Sequence, residues 1–135
     1  MGESKQESGL RIVIVEDEDA LRTMYKLKLE MEHYTVLEAS NGQAGLDLVR
    51  KEKPDLVLLD ILMPGMGGFE VLETLKKDTD PAISSIPVVL LTNLAEDAGY
   101  EQGLALGAAA YCMKVTHTPD RLVQLIRAMV KTDKK

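Results

Sequence analysis

The sequence predicts a doubly wound α/β fold, in which helices cover both faces of a parallel β-sheet. Short runs of Leu, Ile and Val alternate with longer segments whose apolar residues recur at helical spacing. Five such strand–helix pairs, a (βα)5 arrangement, fit between residues 10 and 131. The strands are almost continuously apolar, which is typical of strands buried on both faces. Because parallel neighbours need crossover connections, usually helices, we expect one five-stranded parallel sheet.

Length and composition indicate one globular domain over 9–131, with a disordered tail over 1–8 and a C-terminal tail over 132–135. The net charge of −6 disfavours nonspecific nucleic-acid binding, which needs clustered Lys and Arg. No apolar run approaches the roughly 20 residues that span a bilayer, and no signal-peptide core is present, so we expect a cytoplasmic protein. The single cysteine, Cys112, excludes an internal disulfide and is expected to pack as a small hydrophobe.

The first predicted strand covers 10–15 and runs straight into the acidic residues 16–19. Acidic side chains suit the positive end of a helix, and the first helix is expected to extend from there to about Glu32. Its apolar residues recur at the spacing of a core-facing stripe: Leu21, Met24, Leu27 or Lys28, and Met31.

The second predicted strand covers 34–39, and a helix follows it. Asn41 is a favourable N-cap for this helix, which is expected to run to about Lys51. Pro54 prevents the helix from extending further, because proline disfavours the helical conformation in the residue before it.

The third predicted strand, 55–60, is a run of Leu and Val that ends on a single carboxylate, Asp60. Because burying an unpaired charge is costly, we expect Asp60 at the end of the strand, where water or a cation can reach it. Gly67 and Gly68 then allow the backbone to pass close to its surroundings before the next helix. This third helix is expected over 68–77, with one apolar face made of Gly68, Val71, Leu72 and Leu75.

The remaining segments complete the pattern. Residues 78–86 contain a proline and are expected to form a loop before the fourth strand, 87–91. A helix rich in Ala and interrupted by glycines is expected over 95–106, and the fifth strand over 108–113. The final helix is expected over 118–131, with an apolar face made of Leu122, Leu125, Ile126, Met129 and Val130.

Polar residues follow four of the five predicted strands. In open parallel sheets, ligands bind outside the carboxyl ends of the strands, so we expect these residues to converge. They are Glu16 and Asp17 after the first strand, Asp60 after the third, Thr92 after the fourth and Lys114 after the fifth.

The chemistry of this set favours a divalent cation and phosphoryl transfer. Carboxylates brought together repel one another unless a cation neutralises them, and oxygen ligands without His or Cys suit Mg²⁺. A carboxylate beside Mg²⁺ can attack phosphorus and form an aspartyl phosphate, and Asp60 is the predicted nucleophile because it is the isolated acid on the central strand. Lys114 and Thr92 can then stabilise the phosphoryl oxygens.

Four segments of the sequence resemble the receiver domain of two-component response regulators, the family that includes the chemotaxis response regulators. They are IVIVEDED (12–19), LVLLDILMPGMGGFEVL (56–72), VVLLT (88–92) and GAAAYCMK (107–114). The resemblance covers residues 10 to about 131. It implies a flavodoxin-like sheet in the strand order 2-1-3-4-5 and a function in phosphorelay signal transduction.

The resemblance implies a role for each residue of the predicted site. Asp60 is expected to accept a phosphoryl group from the phosphohistidine of a sensor histidine kinase or a phosphotransfer protein. Asp17 and Asp60 are expected to bind Mg²⁺ directly, with Glu16 binding either directly or through a water molecule. The main-chain carbonyl of Leu62 is expected to be a further ligand. Lys114 is expected to pair with the phosphoryl group.

The resemblance also implies a switch and a binding face. Thr92 is expected to move towards the phosphoryl group, and Tyr111 to swing inward with it. This rearranges the face formed by helix 95–106, strand 108–113 and helix 118–131, where a downstream protein target or a second copy, in a phosphorylation-dependent homodimer, is expected to bind. We expect no direct nucleic-acid partner, no membrane partner, and no enzyme activity beyond the chain's own phosphorylation and dephosphorylation.

Several residues depart from the family's usual pattern. Val115 follows Lys114 where the family usually has a cis-proline, so a trans peptide and a reshaped loop are expected. Asn93 stands where the family prefers a smaller residue. Leu62 and Leu94 occupy positions that often tune the attack of water on the phosphoryl group, and neither can orient a water, so we expect a long-lived phosphorylated state.

Two other functions stay open on the sequence. A pseudo-receiver would be a binding scaffold that is never phosphorylated, although such a site would be expected to lose at least one of its polar residues. A Mg²⁺-dependent hydrolase of small phosphoesters would want a second carboxylate two residues after the nucleophile, where this chain has Leu62.

Overall fold

A computed structural model describes residues 9–92, 96–113 and 119–134. The strands are β1 Arg11–Val15, β2 Thr35–Ala39, β3 Leu56–Asp60, β4 Val88–Thr92 and β5 Ala110–Met113. The helices in these ranges are α1 Asp19–Met31, α2 Gly42–Glu52, α3 Gly68–Lys76, α4 Pro81–Ser84, α5 Glu96–Ala105 and α6 Pro119–Lys134. All five strands form one parallel sheet in the order β2-β1-β3-β4-β5, which confirms the predicted topology.

Each face of the sheet carries a buried apolar core, as a doubly wound fold requires. On one face, α1 and α6 pack against the strands through Tyr25, Leu29, Leu122, Val123 and Ile126. On the other face, α2 and α3 pack through Leu46, Val49, Val71, Leu72 and Leu75. Side chains of β1 alternate between the two cores, because successive residues of a strand point to opposite faces.

The register of the central strands brings their carboxyl ends to one edge of the sheet. Val15 is paired with Leu59, and Asp60 is paired with Leu91, the residue before Thr92. Because the strands are parallel, the residues that follow β1 and the last residues of β3 and β4 lie side by side. This edge is where the sequence predicted the site.

The buried face of α1 differs from the predicted stripe. Met24, Leu27 and Met31 are 40%, 56% and 70% exposed, whereas Tyr25 and Leu29 are 2% and 1% exposed. The helix carries two apolar stripes, and the one that faces the sheet is set by the packing of α1 against its neighbours. Salt bridges between Lys28 and Asp120 and between Arg127 and Glu32 join the flank of α1 to α6.

The segment predicted as a loop over 78–86 contains a one-turn helix, α4. Asp80 caps it, since its Oδ1 accepts a 2.9 Å hydrogen bond from the backbone N–H of Ala82, and Pro81 occupies the first turn. Ile83 on this turn is buried in the core. Pro81 therefore begins a helix here, whereas the sequence prediction took it as a sign of a loop.

The other elements lie close to their predicted positions. The Oδ1 atom of Asn41 accepts a 2.8 Å hydrogen bond from the backbone N–H of Ala44, which confirms the predicted N-cap of α2. The final helix continues to Lys134, past its predicted end at 131, and β5 begins at Ala110, later than predicted. Within the described ranges, no helix is both long and apolar enough to cross a membrane.

Candidate functional site

Three predicted acidic residues converge at the carboxyl edge of the sheet. Glu16 and Asp17 follow β1, Asp60 ends β3, and one carboxylate oxygen from each lies within 4.8 Å of those of the other two. Glu16 is 0% and Asp60 2% exposed, while Asp17 is exposed. Asp60 is thus more deeply buried than the sequence prediction expected, and Asp17 is the member of the cluster that faces solvent.

The donor set of this cluster fits Mg²⁺. All three ligand groups are hard carboxylate oxygens, and neither histidine nor cysteine belongs to the cluster. Three carboxylates this close repel one another electrostatically unless a cation lies between them. The composition and spacing of this cluster are therefore compatible with a small divalent cation.

The main chain around Glu16 is held by hydrogen bonds. Its backbone N–H donates to the carbonyl oxygen of Ala39 on β2 at 3.1 Å, and its Oε2 atom accepts a 3.1 Å hydrogen bond from the backbone N–H of Glu18. Its carbonyl oxygen accepts a 2.8 Å hydrogen bond from Nη1 of Arg22 on α1. Arg22 was not predictable as a site residue, because no local sequence pattern shows which backbone carbonyl a helical arginine will contact.

The chain beyond Asp60 passes very close to it. A β-carbon added to Gly68 would lie 2.3 Å from the carbonyl oxygen of Asp60, so only glycine fits at this position without a shift. Gly65 has φ 75° in the connecting turn, a conformation that also favours glycine. Leu62 in the same turn is 58% exposed, and the role of its carbonyl as a metal ligand stays a prediction.

The remaining predicted site residues are only partly described. Thr92 is fully buried at the end of β4. Tyr111 lies on β5 and lines an open pocket of about 310 Å³ together with Arg121, Gln124 and Leu125 of α6. Lys114, with the loop into α6, lies outside the described residues, as do Asn93, Leu94 and Val115.

Two buried groups beneath this edge are held in their neutral forms. Burial raises the pKa of the Tyr25 phenol to about 12, with further contributions from Cys112, Glu16 and Asp60. Burial also raises the pKa of the Cys112 thiol to about 11. With an exposure of 1% in the core between the sheet, α1 and α6, Cys112 is the small hydrophobe that the sequence predicted.

The family model described as the response regulator receiver domain matches residues 12–127. The chain belongs to this family. This chain has the parallel sheet, the strand order and the acidic edge that the sequence resemblance implied. Both the resemblance and the flavodoxin-like fold are therefore confirmed.

Curated relatives of the receiver domain are longer proteins named as transcriptional regulators. This chain is 37% identical over 125 residues to the probable transcriptional regulator ycf27 of Guillardia theta, and the match covers 93% of this chain and 47% of that protein. It is 38% identical over 123 residues to the phosphate regulon transcriptional regulatory protein PhoB of Pseudomonas aeruginosa, covering 91% of this chain and 52% of that protein. The chain thus spans about half the length of these relatives.

A similar architecture is found among solved structures. The CheY-like response regulator receiver domain protein from Methanospirillum hungatei matches with a TM-score of 0.84 at 32% sequence identity. The match covers 94% of this chain and 98% of that one. The similarity therefore extends over the whole sheet and its covering helices.

Proposed function

We propose that this receiver domain accepts a phosphoryl group on Asp60 and thereby switches its contacts with other proteins. The observation that carries the proposal is the convergence of Asp60 with Glu16 and Asp17, whose carboxylate oxygens lie within 4.8 Å of one another in a chain of this family. Response regulators interact with histidine kinases, so the proposed donor is the phosphohistidine of a sensor histidine kinase or of a phosphotransfer protein.

In the proposed reaction, an Asp60 carboxylate oxygen forms a bond to phosphorus as the P–N bond of the donor phosphohistidine breaks and the imidazole leaves. Glu16, Asp17 and Asp60 would hold Mg²⁺, with the Leu62 carbonyl as a further proposed ligand. When bound, the ion supplies positive charge that neutralises the phosphoryl oxygens. The burial of Asp60, which is 2% exposed, limits the water around the nucleophile.

Two other side chains are proposed to stabilise the phosphorylated state. The Thr92 hydroxyl, at the end of the strand next to Asp60, would donate a hydrogen bond to a phosphoryl oxygen. Lys114 would pair its ammonium group with the same phosphoryl group, as the family resemblance implies. The chemistry proposed for the chain is limited to its own phosphorylation and dephosphorylation.

We propose that the output passes through the face made of α5, β5 and α6. Tyr111 would move when Thr92 moves, and Tyr111 borders the open pocket beside α6. The proposed partners on this face are a downstream protein target or a second copy of the chain. Neither nucleic acid nor a membrane is a proposed direct partner, and the proposed location is the cytoplasm.

The proposal is tested by intact-protein mass spectrometry after incubation with acetyl phosphate, with and without Mg²⁺. We expect one added phosphoryl group that requires Mg²⁺ and that is missing from Asp60→Asn. The absence of an adduct in every condition would favour a pseudo-receiver. Continuous release of phosphate without an adduct would instead favour a small-molecule hydrolase.

A further inference from the structure

Arg22 connects three separate segments of the chain at the acidic edge. Its Nη1 donates to the carbonyl oxygen of Glu16 at 2.8 Å, and its Nη2 donates to Oδ1 of Asp19 at 2.8 Å. Its Nε donates to Oε1 of Glu38 on β2 at 3.0 Å. All three guanidinium nitrogens are therefore engaged, and the side chain is only 15% exposed.

Hydrogen bonds hold the main chain on both sides of Glu16, the first of the two metal-ligand candidates after β1. The N–H of Glu16 is bonded to Ala39 on β2, and the carbonyl of Glu16 is bonded to Arg22 on α1. That carbonyl and the N–H of Asp17 form the peptide group that joins the two candidates, so Arg22 contacts this group directly. A planar guanidinium with donors in a rigid fork can hold such a group in one orientation, which a flexible ammonium cannot do.

We propose that Arg22 is a positioning residue for Mg²⁺ binding, which acts through the Glu16 backbone and not by contact with the ion. The proposal rests on the proposed function, because it assumes that Glu16, Asp17 and Asp60 hold Mg²⁺. Groups that orient metal ligands without touching the metal typically change metal affinity by about 10–100-fold when they are removed.

The charge of Arg22 has the opposite effect on Mg²⁺ affinity. A cation near the carboxylates repels Mg²⁺, so its removal would strengthen binding if charge were the only influence. Asp19 and Glu38 already offset that charge through their salt bridges with the guanidinium. The positioning role and the charge role therefore predict changes of opposite sign.

The test is Mg²⁺ titration calorimetry on the full chain without phosphoryl donor, together with the thermal unfolding midpoint of each variant without metal. We expect Arg22→Met to bind Mg²⁺ at least about tenfold more weakly than the native chain. Arg22→Lys keeps the charge but loses the fork, so its affinity is expected to stay closer to that of Arg22→Met than to that of the native chain.

Arg11→Met is the matched control. Arg11 also donates to one main-chain carbonyl and one carboxylate, both of Glu52, but it lies at the start of β1, the end opposite to the acidic edge. We expect this variant to unfold at a lower temperature yet to bind Mg²⁺ with native affinity. Asp17→Asn, which removes a proposed ligand, is expected to weaken binding strongly.

The outcomes separate this proposal from the proposed function. Native affinity or tighter binding in Arg22→Met, while Asp17→Asn binds weakly, would overturn the role of Arg22 and leave the metal site standing. Native affinity in Arg22→Lys would show that the forked geometry of the guanidinium is not needed and would overturn positioning, and this variant decides the question if Arg22→Met fails to fold. Absence of Mg²⁺ binding by the native chain would overturn both.

Discussion

Gly68 packs directly on the main chain of Asp60. A β-carbon at position 68 would lie 2.3 Å from the Asp60 carbonyl oxygen and 2.7 Å from the Cα of Ile61, far inside van der Waals contact. The N–H of Gly68 also donates to the carbonyl of Ile61 at 2.9 Å. The first turn of α3 therefore abuts the end of β3, and the position of Asp60, the proposed nucleophile, depends on the absence of a side chain at residue 68.

Replacement of Gly68 by alanine is expected to push α3 away from β3. The clashing atoms belong to the backbone, so the strain cannot be relieved by a side-chain rotation, and a cost of about 1–3 kcal/mol in the free energy of unfolding is expected. We also expect slower phosphorylation by acetyl phosphate, because Asp60 moves relative to Glu16 and Asp17. Urea unfolding and intact-mass time courses measure the two effects.

Gly67→Ala is the control for this change. A β-carbon at Gly67 would meet only the Ile61 carbonyl oxygen, at 3.3 Å, so its cost is expected to stay below about 1 kcal/mol. Equal losses of stability and phosphorylation rate in both variants would contradict the special position of Gly68.

Two leucines of α1 test which face of the helix is buried. Leu29 is 1% exposed in the core, whereas Leu27 is 56% exposed. Leu29→Ala is expected to lower the free energy of unfolding by about 2–5 kcal/mol, because it removes buried apolar contacts and leaves a cavity. Leu27→Ala is expected to change it by less than about 0.5 kcal/mol. If urea unfolding showed a larger loss of stability for Leu27→Ala than for Leu29→Ala, the buried face of α1 would be the stripe that the sequence predicted.

The same helix shows what could and could not be predicted from the sequence. Helical spacing identified α1, but two stripes share that spacing, and only packing against the sheet and α6 selects Tyr25 and Leu29. The acidic edge was predictable because the carboxyl ends of parallel strands must share one edge. The contacts of Arg22 were not, since its partners Glu16 and Glu38 meet only after β2 has paired with β1.

Two further differences between the structure and the sequence prediction concern buried residues. Asp60 ends its strand as predicted, but it is only 2% exposed, and the close packing of Gly68 on its main chain is a tertiary contact that the local sequence does not show. The helix α4 was missed because its signal is short: an Asp80 cap, Pro81 and one buried residue, Ile83. A proline alone marks either a loop or a helix start, and the core contact of Ile83 favours the helix.

The raised pKa of Cys112 predicts a loss of stability at alkaline pH. The thiol has a pKa of about 11 in the folded chain against an ordinary value of 9.0, so it binds its proton more tightly when folded. The associated stabilisation is complete below pH 9 and is lost as the pH rises through 11, by up to about 2–3 kcal/mol.

Urea unfolding of the native chain and of Cys112→Ala between pH 9 and 11 measures this loss. We expect the variant to be less stable at pH 9 but to lose less stability on going to higher pH. Some decline should remain in the variant, because the pKa of Tyr25 is also raised, to about 12. Parallel pH profiles for the two proteins would argue against the protonated buried thiol.

The apolar side chain of Leu62 leads us to expect a long-lived phosphorylated state. Its side chain is 58% exposed beside the acidic edge, and a leucine cannot orient a water molecule for attack on the phosphoryl group. We expect the adduct on the native chain and on Leu62→Met to persist for minutes, and the adduct on Leu62→Gln to decay faster. Intact-mass time courses after removal of the donor follow the decay, and loss from the native chain within seconds would refute the prediction.

The most direct test of the central claim is to locate the phosphoryl group on the chain. Borohydride reduces an acyl phosphate on aspartate to homoserine, so peptide mapping after phosphorylation and reduction reads out the acceptor residue. We predict homoserine at position 60 alone, dependent on Mg²⁺ during phosphorylation. Reduction at Glu16 or Asp17, or an unreduced chain that nevertheless carries the phosphoryl mass, would contradict the assignment of Asp60 as the acceptor.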